Sequence, residues 1–113
     1  MAVVEVKDSA HFEQITQDER DKLLLIDFFA DWCAPCKEFA KVILELEEIE
    51  EISSNVLILK CDIADCAEIA TKYNVQSVPT LLLIRNNMVV DRRIGALNKQ
   101  AAHSWISNNM TQD

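Results

Sequence analysis

The sequence predicts an α/β domain with a central mixed five-stranded sheet, in which the first three strands are parallel and the C-terminal hairpin is antiparallel, flanked by four helices. Three observations predict this class. Strand-like and helix-like segments alternate, and a helical crossover joins parallel strands. The run at 23–29 is apolar on both faces, as in a strand between two helical layers. The Asn86-Asn87 pair separates two strand-like segments, and asparagine tolerates the positive φ of a tight hairpin turn.

Each element follows from a local pattern. The predicted strands cover 3–6, 23–29, 56–60, 80–84 and 88–92. The first helix begins where Asp8 or Ser9 can act as its N-cap. The second carries apolar residues at helical spacing as far as Ile49. A short third helix spans 64–73, and Asn98 caps the last one.

Composition limits what the chain can bind and where it can work. Its 113 residues, 50% of them hydrophobic, suffice for one core, so we expect a single domain over 1–113. A formal charge of −8 disfavours nucleic acids and anionic membranes as partners. No stretch is long enough to span a bilayer, and the N-terminus has acids where a signal peptide needs a basic start. We therefore expect a cytoplasmic protein, whose cysteines are reactive, metal-binding or buried rather than structural disulfides.

The segment at 32–36, which reads Trp-Cys-Ala-Pro-Cys, carries the chemistry. Two thiols three positions apart can close and reopen a disulfide, and a C-x-x-C between a strand and a helix indicates a redox centre. The helix start favours thiolate over thiol at Cys33, whose sulfur we expect to be exposed, with Cys36 one helical turn away and more buried. The competing interpretation is half of a zinc site, which needs about four ligands. The chain has no second C-x-x-C, so we expect no metal site.

Asp27 is the lone charge in the run at 23–29, which offers no solvent face. Such a carboxyl is rarely fully buried without a partner. Desolvation would raise its pKa, which a general base working near neutrality requires. The alternative is that Asp27 lies near the strand end and is simply hydrated.

Together these residues resemble the thioredoxin family over essentially the whole chain. The matching residues, in family order and spacing, are Asp27, Trp32, Cys33, Ala34, Pro35, Cys36, Lys37, Ser77, Val78, Pro79, Thr80, Gly95 and Ala96. The departures are Ala34 and Asn87 in place of glycine, Phe29 in place of tryptophan, and no helix-kinking proline near Lys41. None of these departures removes a group that takes part in the chemistry, so we expect them to affect the reduction potential rather than the presence of activity. The resemblance implies the thioredoxin fold and a general protein-disulfide reductase that maintains cell redox homeostasis.

The resemblance also implies the role of each reactive residue. Cys33 attacks a client disulfide, and Cys36 resolves the mixed disulfide, which leaves a redox-active Cys33–Cys36 disulfide. Asp27 accepts the Cys36 proton through water, and Lys60 supports Asp27 as its ion partner. Pro79 faces the cysteines in the cis form, although only about 5–6% of X–Pro bonds in folded proteins are cis and the sequence alone favours trans.

A client-binding surface is implied around the cysteines. Trp32, Val78, Pro79 and Gly95 would bind the client, the backbone of Val78 pairing with a client strand. Ala34 and Pro35 support the loop between the two cysteines. For Trp32 the alternative is packing in the core.

The resemblance implies no bound cofactor, with electrons arriving from NADPH through a thioredoxin reductase. A chain with one glycine has no Gly-rich nucleotide fingerprint of its own. The implied clients are oxidised proteins such as peroxiredoxins, ribonucleotide reductase and methionine sulfoxide reductases. We expect a monomer. An oxidase or isomerase of the same fold would usually carry a histidine between the cysteines, and a binding scaffold would not need intact catalytic residues.

Two further cysteines are less clear from the sequence. Cys61 follows strand residues, and we expect a small buried hydrophobe. Cys66 begins a short helix, which can make its thiol more acidic and exposed. Extra cysteines near this position occur in animal-type thioredoxins, where they take part in regulation or dimer disulfides. A regulatory role or a disulfide-linked dimer through Cys66 therefore stays open, behind the interpretation of Cys66 as an inert buried thiol.

Overall fold

The computed structural model describes residues 3–110, which form five strands and five helices. In chain order these are β1 (Val3–Glu5), α1 (Ser9–Asp18), β2 (Leu23–Phe29), α2 (Ala34–Glu47), α3 (Glu50–Asn55), β3 (Val56–Asp62), α4 (Ala67–Lys72), β4 (Thr80–Arg85), β5 (Met88–Ile94) and α5 (Lys99–Met110). The strands make one sheet in the order β1-β3-β2-β4-β5. β3 is parallel to β1 and β2, β4 is antiparallel to β2, and β5 is antiparallel to β4. The predicted mixed sheet, with three parallel strands and a closing hairpin, is confirmed.

β2 lies at the centre of the sheet, and helices cover it on both faces. Leu23 and Leu25 belong to a core that α2, α3 and α5 close. Leu24, Ile26 and Phe28 belong to a second core on the opposite face, closed by α1 and α4. Side chains alternate between the faces of a strand, so a run without polar positions is what two helical layers require. The same alternation turns position 27 toward α2.

The caps predicted for the first and last helices are present. The Asp8 carboxylate accepts a hydrogen bond from the His11 N–H at 2.8 Å, and the Asn98 side chain accepts one from the Ala101 N–H at 2.8 Å. These acceptors pair amide groups that a helix start would leave free. None of the helices in residues 3–110 is long and apolar enough to cross a membrane.

The prediction of four helices is wrong for the described residues, because the second helical pattern breaks in two. Ile49 adopts an extended backbone conformation with ψ 117°, so α2 ends before it and α3 begins after it. The break lets Ile52 turn inward, where it is fully buried. The third predicted helix is also shorter than expected. It begins at Ala67 rather than at residue 64, because Asp62 holds residues 63–66 in turns. Its side chain accepts from the Ala64 N–H, and its carbonyl accepts from the Cys66 N–H, both at 2.9 Å.

Among residues 3–110, the left-handed backbone positions other than Gly95 are all occupied by asparagine. Asn86 and Asn87 have φ of 53° and 64°, which gives the tight hairpin turn predicted between β4 and β5. Asn74 has φ 56° after α4. Most L-residues lose roughly 1–2 kcal/mol in this region, whereas asparagine, whose short side chain can form local hydrogen bonds, adopts it more readily.

Replacing Asn87 tests the turn. Asn87→Ala should lower the free energy of unfolding by about 1 kcal/mol, because alanine does not tolerate this φ, while Asn87→Gly should leave stability unchanged or raise it. Urea denaturation of both variants measures this difference. Equal loss in both would show that the asparagine side chain, rather than the backbone conformation, stabilises the hairpin.

Candidate active site

The two cysteines of the C-x-x-C motif lie at the start of α2 and are joined by a disulfide. Cys33 is the N-cap of the helix, and its Sγ accepts a hydrogen bond from the Cys36 N–H at 3.1 Å. The Cα atoms of the two residues are 5.2 Å apart. Pro35 lies in the first turn, where its missing amide hydrogen costs nothing. A helix start of this kind supplies amide donors and a partial positive charge to the Cys33 sulfur.

Both cysteines are 4% exposed, so the expectation of an exposed Cys33 beside a more buried Cys36 is wrong for the oxidised protein. Ala30 is buried with them, and the side chains of Phe29, Ile63 and Val78 pack against this small cluster. What distinguishes the cysteines is position. Cys33 precedes the helix, with its Sγ 3.7 Å from the Val78 carbonyl oxygen, whereas Cys36 lies inside the first turn.

A loop from the far half of the chain lies against the disulfide. Its Val78–Pro79 peptide bond is cis, as the resemblance implies and against the expectation from sequence alone. The Pro79 carbonyl accepts from the Gly95 N–H at 2.8 Å, and the Thr80 hydroxyl donates to the Ser77 carbonyl at 2.6 Å. Gly95 has φ 97°, which favours glycine. These bonds fix the loop beside Cys33.

Apolar side chains stand exposed around this loop and the disulfide. Trp32 is 77% exposed, so it is not a core residue. Ile94, 69% exposed, pairs with Thr80 next to the cis peptide bond. The sequence analysis missed Ile94, although its place directly before Gly95 marks it as a neighbour of the expected surface.

Asp27 is buried rather than hydrated. It is 1% exposed, and neither carboxylate oxygen has a hydrogen-bond partner among the described residues. Burial raises the pKa of Asp27 from 3.8 to about 7, while the positive charge of Lys60 lowers it and the negative charge of Glu5 raises it. Lys60 is the register partner of Asp27 on the neighbouring strand β3, which is the place expected for it.

A small cavity of about 120 Å³ lies between β2, β3 and the start of α2. Cys36, Lys60 and Phe29 line it together with Ala30, Asp31, Lys37 and Ala40. Lys60 and Cys36 therefore border the same cavity, which is large enough to hold a few water molecules. A larger hollow of about 440 Å³ lies at the other end of β2, beside Leu23 and Arg85, and none of the redox residues line it.

The sequence model of the thioredoxin family matches residues 2–108. The chain belongs to the thioredoxin family. It is 33% identical over 105 residues to the thioredoxin of Rickettsia bellii, covering 93% of this chain and 96% of that protein. It is 33% identical over 110 residues to the thioredoxin of Bacillus subtilis, with 97% and 100% covered. The structure of Schistosoma mansoni thioredoxin pre-protein superposes with a TM-score of 0.85 at 30% identity, covering 96% of this chain and 98% of that one.

Thioredoxins are dithiol–disulfide oxidoreductases, and the Trp-Cys-x-x-Cys disulfide at 32–36 is the active-site disulfide of this one. The cysteine pair carries the electrons, and no cofactor is bound for this purpose. Membership implies a thioredoxin reductase as electron donor and disulfide-containing proteins as clients. Among residues 3–110, no group of three or more histidine, cysteine or acidic side chains could hold a metal ion.

The other two cysteines of this thioredoxin lie inside the second core. Cys61 and Cys66 are both fully buried, as expected for Cys61. The preferred interpretation of Cys66 as a buried thiol is confirmed, and the acidic, exposed alternative is wrong, because burial raises the pKa of Cys66 and the charges of Asp65, Asp8 and Asp62 raise it further. A hydrogen bond to Cys61 acts in the opposite direction but does not reverse the shift. Burial likewise raises the pKa of the Cys61 thiol.

Thiol labelling tests this burial. In the native reduced protein, a bulky thiol reagent should react rapidly at Cys33 only, and Cys61 and Cys66 should react when the protein is unfolded, because the thiolate is the reactive form and both are buried. Mass spectrometry of the labelled peptides identifies each site. Rapid labelling of Cys66 in the native protein would contradict its burial and support the interpretation of Cys66 as an exposed thiol.

The buried carboxylate should make stability depend on pH. Below about pH 4 Asp27 is neutral in both states, and between about 4 and 7 only the unfolded chain ionises. The free energy of unfolding should therefore fall across this window, by up to about 4 kcal/mol, and Asp27→Asn should remove the fall. Urea denaturation of the oxidised protein at pH 4 and pH 8 measures it.

The control for this experiment is Glu68→Gln, which removes an exposed carboxylate from α4. It should keep the pH dependence of the unchanged protein. An Asp27→Asn variant that loses stability between pH 4 and 8 as steeply as the parent would assign the fall to other groups.

Proposed function

We propose that this thioredoxin reduces protein disulfides with Cys33 as the attacking thiol and Cys36 as the resolving thiol. The observation that supports this order is the position of Cys33 as N-cap, where its sulfur already accepts the Cys36 amide. The same donor and the helix start stabilise a negative sulfur. Cys36 lies inside the first turn of α2. From there its sulfur can reach the Cys33 sulfur but not the disulfide of a docked client.

The exchange balances in two steps. The Cys33 thiolate attacks one sulfur of the client disulfide, which forms a mixed disulfide and releases one client thiolate. The Cys36 thiolate then attacks the Cys33 sulfur, which forms the Cys33–Cys36 disulfide and releases the second client thiolate. The client disulfide gains two electrons, and protonation of the two released thiolates gives two thiols. A thioredoxin reductase returns the two electrons from NADPH.

Asp27 serves as the base for Cys36 in this proposal. Its raised pKa, about 7, matches a proton transfer near neutrality. The cavity beside Cys36 and Lys60 has room for water next to the resolving cysteine, and Asp27 is the register partner of Lys60, which lines this cavity. Lys60 supports the base by stabilising its charged form, which is the form that accepts a proton.

Clients bind across the apolar surface around the disulfide. Trp32 and Ile94 supply exposed apolar area, and Gly95 leaves the backbone open, since nothing lies within 4 Å of where its Cβ would stand. We expect the backbone of Val78, whose carbonyl oxygen lies 3.7 Å from the Cys33 sulfur, to pair with an extended client segment that brings a disulfide to Cys33. Pro79 has no amide hydrogen beside the sulfur, and Ala34 and Pro35 hold the turn between the cysteines.

The cellular setting follows from the same proposal. We place the protein in the cytoplasm as a single-domain monomer, acting on oxidised clients such as peroxiredoxins, ribonucleotide reductase and methionine sulfoxide reductases. Its negative charge is against nucleic acid or anionic membranes as partners. A dimer linked through Cys66, or regulation at that thiol, would need α4 to open first, because Cys66 is fully buried.

Two serine variants test the order of attack. Cys36→Ser should accumulate client proteins as mixed disulfides on Cys33, because the resolving thiol is gone, and Cys33→Ser should trap none. Non-reducing electrophoresis followed by mass spectrometry of the trapped species measures the difference. Both variants should lose the reductase-coupled reduction of insulin disulfides, because each lacks one half of the redox pair. Equal trapping by the two variants would overturn the assigned roles.

A further inference from the structure

The side chain of Phe29 contacts both the cysteines and the lysine of the active site. Its ring packs against the small buried cluster that contains Cys33 and Cys36, and it lines the cavity beside Cys36. The ammonium of Lys60, which lines the same cavity, lies over this ring, 4.8 Å from its centroid. A cation within about 6 Å of an aromatic face is attracted by the charge distribution of the ring. Phe29 therefore binds the lysine that is the register partner of Asp27.

The register of β2 and β3 gives this lysine a choice of two partners. Asp27 and Phe29 are two residues apart on β2, and Lys60 is opposite Asp27 on β3, so all three side chains lie on the same face of the sheet. Neighbouring strands are about 4.8 Å apart, and residues two positions apart on one strand are separated by about 6.6 Å. The long, flexible lysine side chain can therefore reach either the carboxylate or the ring.

The lysine contacts the ring and not the carboxylate. Among residues 3–110, Lys60 forms no ion pair with Asp27, and neither oxygen of Asp27 accepts a hydrogen bond. Phe29 and Lys60 are half-buried, whereas Asp27 is fully buried. An ammonium on the ring keeps part of its hydration, but one bonded to the carboxylate would have to enter the interior, where desolvation opposes a charge. The ring thus offers the lysine a partner nearer the surface.

Other charged or titratable groups lie nearby, on the edge strand, at the end of β3 and around the start of α2. They are Glu5, Asp62, Asp31, Cys36 and Lys37. None of them is bonded to the buried carboxylate, and β4 contributes the apolar Leu81 as its register partner. Burial raises the pKa of Asp27 to about 7, and the positive charge of Lys60 is the largest influence that opposes this rise. The position of the lysine is therefore what can change the carboxylate most.

We propose that Phe29 is a positioning residue for the proton transfer: its ring holds the Lys60 ammonium beside the cavity and away from the Asp27 carboxylate, which leaves this carboxylate free to take the proton of Cys36 through water. The role that we assign to Phe29 rests on the proposed role of Asp27 as the base. A carboxylate that is bonded to an ammonium is a weaker base, because the positive charge stabilises its ionised form. Phe29 thus affects the rate of the resolving step as well as the packing of the cysteines.

The first measurement is the titration midpoint of the Asp27 carboxyl carbon, followed by NMR in the oxidised protein, whose active-site cysteines form a disulfide and do not titrate. Phe29→Leu keeps an apolar side chain but removes the ring. The lysine should then move to the carboxylate and lower the midpoint by about one pH unit or more, the usual effect of an opposite charge in contact. Phe29→Trp restores an aromatic face and should keep the midpoint of the parent. Phe12→Leu, which removes a buried ring from the core on the opposite face, is the matched control and should leave the midpoint unchanged.

A Lys60→Gln background distinguishes movement of the lysine from entry of water. By itself, Lys60→Gln should raise the midpoint, because a positive charge is lost. In this background, Phe29→Leu should shift the midpoint by less than half as much as it does in the parent. A shift of full size would overturn the proposal, since water admitted by a larger cavity would then be the cause. An unchanged midpoint in Phe29→Leu, or an equal fall in Phe29→Trp, would overturn it too.

The second measurement tests the base itself, through the pH dependence of the rate at which Cys36 resolves a preformed mixed disulfide. The apparent pKa of this rate should move to lower pH in Phe29→Leu and return in Phe29→Trp, as the Asp27 midpoint does. A profile that does not follow the midpoint would refute Asp27 as the base and with it the effect of Phe29 on catalysis. The titration decides separately whether Phe29 holds the lysine, so the two failures are distinguishable.

Discussion

The burial of β2 on both faces is the constraint on which the rest of the structure depends. Leu25 and Ile26, on opposite faces of the strand, are both fully buried, so helices must cover both sides of the sheet. A carboxylate placed in such a strand is shielded from bulk solvent. The same packing that stabilises the fold therefore raises the pKa of Asp27, and the strand then ends one turn before Cys33. β2 therefore contributes both to the core and to the active site, so a substitution that alters its packing also alters the surroundings of Asp27.

The topology around β2 explains why residues distant in sequence meet. β3 is parallel to β2, so Lys60 arrives beside Asp27 near the carboxyl end of both strands. β4 is antiparallel to β2, so its beginning, with Thr80 opposite Phe28, lies at the same end. The loop before β4 brings Pro79 to the disulfide for this reason. The two cysteines are held at the start of α2, Asp27 is held by β2 and Lys60 by β3, so none of these groups depends on a long flexible loop.

The sequence predicted the features that depend on local patterns or on a continuous run. Asp8 and Asn98 cap their helices because a cap needs only neighbouring amides. The burial of Asp27 was predictable because no residue in its run could face water. The cis bond before Pro79 was not, since it depends on surroundings supplied by the rest of the fold, and it was expected only from the family resemblance.

The wrong predictions share a dependence on packing between distant segments. The apolar spacing of α2 continues through Ile49, so nothing local announces the break before α3. Cys66 begins a helix, but only the second core decides that its side chain turns inward. The burial of Cys33 comes from residues such as Val78, forty-five positions along the chain. Periodicity and capping are short-range signals, and they do not carry this information.

The use of asparagine where the backbone is left-handed has a consequence for the unfolded chain. Asn74, Asn86 and Asn87 adopt positive φ, and Gly95 is the only glycine in the sequence. Glycine samples more backbone conformations than any other residue and loses the most entropy when it is ordered. A chain that turns on asparagine instead enters folding from a narrower ensemble. Part of the stability of this protein therefore originates in the restricted conformations of its denatured state, where no native contact exists.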